Sequence, residues 1–109
     1  MIAATPPVPA QRIHNLVLNV RSFDSIARQV WGGDAALVTL QLDSTVIRID
    51  KARRGPRAKL AHEIATLEKH GSAALKTLDP TGSPLAEDAI QSLRTNLAAF
   101  RTVLKTLRR

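Results

Sequence analysis

The sequence predicts an all-α fold, an up-down four-helix bundle with helices over residues 10–31, 35–53, 57–78 and 84–108. Three observations carry that prediction. Apolar residues recur at spacings of three and four in all four segments. Gly32-Gly33, Gly55-Pro56 and the stretch from Pro80 to Pro84 fall between the segments, where they break helices. Only Phe23, Trp31 and Phe100 are aromatic, 3% of the chain, so the core is aliphatic and suits helix packing better than a β-sandwich. At 109 residues the chain is one domain by length.

Residues 1–9 carry Pro6, Pro7 and Pro9 and read as an extended arm ahead of a single helical domain over 10–109. The first helix is marked by Ile13, Val17, Val20, Ala27 and Val30, with Leu16 and Phe23 beside them. Gly32-Gly33 offers a left-handed cap at its end, and Asp34 an N-cap for the next element.

Trp31-Gly32-Gly33 is similar to the turn of the Trp-Xaa-Gly family of small secreted helical hairpins, over these three residues. The resemblance implies a long second helix and a tyrosine-containing export signal. Here that helix would run through Gly55-Pro56, and the chain has no tyrosine. Trp31 is instead expected to close a helix end against the core.

Residues 35–53 admit two readings. As a helix, Ala35, Val38, Leu42, Val46 and Ile49 form one stripe. As a hairpin over 38–49, turning at Asp43-Ser44, Val38, Leu40 and Leu42 share a face with Thr45, Ile47 and Ile49. The β-branched content favours strands. The turn does not, because two-residue hairpins want Asn-Gly or Asp-Gly. Helix is preferred, and the alternative fold is α+β, with the hairpin packed on helices.

Pro56 is placed to open the third helix, which Leu60, Ile64 and Leu67 mark. Its continuation to Ala74 and Leu78 must cross Gly71, at about 1 kcal/mol relative to alanine. In the fourth helix Ser83 caps, Pro84 starts, and Glu87 and Asp88 sit where the dipole favours acids. Ile90, Leu93, Leu97, Phe100, Leu104 and Leu107 then step by three and four as a heptad seam. The seam serves either as intramolecular core or for self-association into a homo-oligomer.

The net charge of +7 is uneven. Residues 1–47 are neutral. Residues 48–59 set six cations against Asp50. Residues 60–93 are net acidic, and residues 94–109 hold five cations and no acid. In an up-down bundle the second connection and the C-terminus lie at one end, so the two basic segments converge. On the last helix Arg94, Arg101, Lys105 and Arg108 form one stripe. The candidate polyanion contacts are therefore Lys51, Arg53, Arg54, Arg57, Lys59, Arg94, Arg101, Lys105 and Arg108.

No chemistry-bearing motif completes itself. His62-Glu63 begins a helical zinc-protease motif, but Thr66 stands where the second histidine must be, so no metal or other cofactor is expected. Gly32-Gly33 lacks the lysine and the spacing of a phosphate loop. The absence of cysteine excludes disulfides and thiolate catalysis. No apolar run approaches the ~20 residues that cross a bilayer, so no membrane insertion is expected. A secretory leader is not evident either, and the expected location is cytoplasmic.

The expected function is that of a non-enzymatic accessory protein whose basic end engages DNA or RNA phosphates. The alternative is a helical interaction module (chaperone, adaptor or inhibitor) that docks an acidic protein surface or self-associates through the C-terminal helix.

Overall fold

Four helices account for nearly all of the computed structural model, which describes residues 10–80 and 82–108. They are α1 (Ala10–Trp31), α2 (Ala36–Ala52), α3 (Arg57–Thr77) and α4 (Pro84–Leu107). No strand occurs among the described residues. The predicted extended arm over 1–9 lies outside them.

Each helix packs against two others. α1 lies between α2 and α4, α3 lies between the same two, and the diagonal pairs do not meet. The chain is thus an up-down four-helix bundle, 21 × 20 Å across. Its core is aliphatic with two buried rings: Phe23 and Phe100 are fully enclosed, together with Ile13, Leu42, Ile64, Leu67 and Leu93. The heptad seam of α4 lies inside. Ile90, Leu93, Leu97, Phe100, Leu104 and Leu107 are all buried within the chain, the intramolecular use of that stripe.

The ambiguous second segment is helical, and the hairpin over 38–49 does not form. Thr39, Leu42, Thr45, Val46 and Ile49 fall on one face and are all buried. The two buried threonines satisfy their hydroxyls inside the helix. Thr39 Oγ1 donates to the Ala36 carbonyl at 3.0 Å, and Thr45 Oγ1 to that of Gln41 at 2.8 Å. Enclosing this face outweighs a strand propensity that spans only about 1 kcal/mol. The opposite face is left outside, with Leu37 and Leu40 more than half exposed.

The turns mostly follow the sequence. Gly32 adopts φ 63°, the left-handed conformation that lets α1 stop, and a 3₁₀ turn over Gly32–Ala35 leads into α2. The N-cap of α2 is Ala35 rather than Asp34, and it has no side-chain cap. Trp31 packs against the core and donates its indole N–H to the Asp79 carbonyl at 2.7 Å, tying the end of α1 to the α3–α4 connection. Pro56 serves as N-cap of α3, one residue ahead of the position expected. Ser83 caps α4, its hydroxyl accepting from the Ala86 amide at 3.3 Å.

α3 runs unbroken through Gly71. A Cβ at that residue would lie 2.6 Å from both terminal methyls of Leu97. The glycine is a packing residue, leaving the space that Leu97 of α4 fills.

Candidate functional site

Alternating helix direction puts the start of α1, the α2–α3 turn and the end of α4 at one end of the bundle. Arg53 is the C-cap of α2, Arg54 lies in the turn, and Arg57 is the first residue of α3. Gly55 closes the turn tightly, its amide donating to the Ala52 carbonyl at 2.9 Å. Lys105 sits in the last turn of α4, and Arg108 is its C-cap. The two basic segments therefore meet, as the topology requires.

Arg94 is the exception. It shares a stripe with Arg101, Lys105 and Arg108, but the stripe runs along the helix axis. Thirteen residues separate Arg94 from Leu107, about 20 Å at 1.5 Å per residue. It lines a groove with Leu75, Leu78 and Pro80 near the far connection. Arg94 is outside the basic end.

Arg12 belongs there instead. It is an exposed residue in the first turn of α1, which starts at the same end. Summing charge by sequence segment hid it, because residues 1–47 as a whole are neutral. Among the described residues the end then holds ten cations: Arg12, Arg48, Lys51, Arg53, Arg54, Arg57, Lys59, Arg101, Lys105 and Arg108. Asp50, Glu63 and Glu68 lie among them, and each of these carboxylates is in an ion pair.

Those pairs sort the cations. Arg48 Nε meets Glu63 Oε2 at 2.8 Å and also reaches the hydroxyls of Ser44 and Thr45, bracing α2 against α3. Arg101 is bound to Glu68 across α3 and α4. Arg53 is held by Asp50, with its side chain only 21% exposed. The other seven, Arg12, Lys51, Arg54, Arg57, Lys59, Lys105 and Arg108, are exposed and in no ion pair among the described residues.

His14 completes the arrangement. Its Nδ1 lies 2.8 Å from Asp50 Oδ1 and 2.7 Å from an Arg53 guanidinium nitrogen. One heptad further along the α1–α2 seam, Arg21 meets Asp43 at 3.3 Å. Burial pushes the Asp50 carboxyl upward. The hydrogen bonds and positive charge of His14 and Arg53 pull it further the other way, so it stays below its ordinary value of 3.8.

Among the described residues no group of three histidine or carboxylate side chains is placed to hold a metal. Nor among them is any helix long and apolar enough to cross a membrane. Compared with known proteins, the chain matches no family model, no curated protein and no solved structure.

Proposed function

We propose that the protein is a non-enzymatic accessory factor that grips DNA or RNA end-on through its basic end, acting in the cytoplasm. The observation that supports this most is the gathering of ten cations at this end, seven of them in no ion pair among the described residues. The field of such a cluster reaches about 10 Å at 0.1 M salt and draws in phosphates. The end is about 20 Å wide. That length of duplex carries roughly twelve phosphate charges, comparable with the number of cations facing it.

Phe100, the aromatic residue of α4, is buried in the core. Base stacking has no platform on that helix, so contact runs through phosphates with little sequence preference.

The test is binding of a 20-base-pair duplex at several salt concentrations, read by fluorescence anisotropy. Five to seven phosphate contacts give a log K against log salt slope of about −4.5 to −6. The triple variant Arg54→Glu, Arg57→Glu, Lys105→Glu loses binding while its thermal melt stays in place. Salt-independent binding, or none in 50 mM salt, overturns the reading. A stoichiometric complex with an acidic protein, and no retention of duplex, replaces nucleic acid with an acidic protein surface as the partner.

A further inference from the structure

The imidazole of His14 is asked to do two incompatible things with one atom. Nδ1 lies within hydrogen-bond distance of a carboxylate oxygen, which needs a donor, and of a guanidinium nitrogen, which needs an acceptor. A neutral ring satisfies either partner by its choice of tautomer. An imidazolium can only donate, so it keeps Asp50 and rejects Arg53. Histidine is also the side chain whose charge ordinarily changes between pH 5 and 8.

Among the described residues, the surroundings leave this choice to those three. From α2, the charged groups at His14 are Asp50 and Arg53. The side of α4 turned toward α1 carries Ser92, Asn96, Val103 and Thr106, none charged, and Asn96 accepts from Asn19 there. On α1 itself Arg12 projects from the opposite side of the helix. Arg21 lies a heptad away and is occupied by Asp43. Asp50, held below its ordinary carboxylate range, remains an anion throughout.

We propose that His14 and Asp50 form a proton-controlled latch on Arg53: on acidification His14 takes over Asp50 and releases the Arg53 guanidinium to the polyanion. The inference rests on the polyanion reading above and adds a regulator to the same site. With the ring neutral, Arg53 is neutralised by Asp50 and shared with the ring, and it contributes little to the surface. With the ring protonated, Asp50 is neutralised by the imidazolium, and one further cation faces the ligand.

The experiment uses a His62→Gln background, which silences the other imidazole near this end. Duplex affinity is measured against salt at pH 5.5 and pH 8.0. One added phosphate contact steepens the salt slope by about 0.9 and raises affinity about eightfold in 0.1 M salt at the lower pH. His14→Gln and Arg53→Gln each abolish that gain. Asp50→Asn shows the higher affinity already at pH 8.0. A gain that survives Arg53→Gln overturns the latch, because it then reflects only the added charge of the ring.

A second readout needs no ligand. The ¹⁵N resonance of the Arg53 side chain is followed from pH 8.0 to 5.5 by NMR. It moves with the His14 titration, and it loses that movement in His14→Gln. An Arg53 signal indifferent to His14 overturns the latch whatever the binding result. A moving signal with no duplex binding at either pH retains the latch and removes the polyanion reading instead.

Discussion

The terminal methyls of Leu97 in α4 lie against Gly71 in α3, within 2.6 Å of where a Cβ on that residue would stand. The two helices approach closely because one of them presents no side chain at the crossing. Gly71→Ala gains about 1 kcal/mol of helix propensity. It also forces a methyl into packed core, at about 1–3 kcal/mol. The variant is expected to lose up to about 2 kcal/mol in denaturant unfolding. In a Leu97→Ala background the same change becomes neutral or stabilising, and a loss that persists there undiminished refutes the packing account.

Asn19 looks like a dispensable surface residue. It is exposed, but its amide donates to Oδ1 of Asn96, which is buried, at 3.1 Å across α1 and α4. Asn19→Ala leaves that oxygen without its cross-helix donor, at about 1–3 kcal/mol, where an ordinary exposed substitution stays within about 0.5 kcal/mol. Chemical denaturation of the single variant distinguishes the two.

Acid weakens the α1–α2 seam. Asp50 has a lower pKa folded than unfolded. Its contribution is present in full above the ordinary value and is lost as pH falls through the lower native one. A partly exposed pair of this kind contributes about 0.5–1 kcal/mol. In a His14→Gln background, the stability gap between the Asp50 and Asp50→Asn forms should therefore be constant near neutrality and close below pH 3.8. A gap that widens in acid contradicts the assignment.

The apolar stripes of α2 and α4 should respond oppositely to serine. Leu97 is 1% exposed and Leu37 is 71% exposed. Leu97→Ser loses at least the 2–5 kcal/mol of a leucine-to-alanine change in a core. Leu37→Ser with Leu40→Ser stays within about 0.5 kcal/mol per site. Size-exclusion mass on the folded double variant then shows whether any self-association uses the outer face of α2.

Helix boundaries were legible to within a residue or two because glycine, proline and serine punctuate this chain at the right places. The identity of α2 was less so. Its β-branched residues speak for strand and its period for helix, and only burial of Thr39, Thr45, Val46 and Ile49 on one face decides between them. The basic end followed from topology alone. Two of its details did not: a stripe on a helix says nothing about axial position, which misplaced Arg94, and segment sums concealed Arg12. His14 was passed over as well. The signal was present in the heptad spacing of His14 and Arg21 against that of Asp43 and Asp50, but it becomes a ladder only when α1 and α2 are known to pair.

Trp31, the one tryptophan in a chain without tyrosine, is hydrogen-bonded at the end opposite the basic cluster. Its fluorescence is therefore a clean optical channel, silent to ligands at the distant cations and responsive to loss of the contact with Asp79. A charge-reversed variant that has merely lost its ligand keeps the native emission maximum. One that has come apart shifts to the red, and a single cuvette tells them apart.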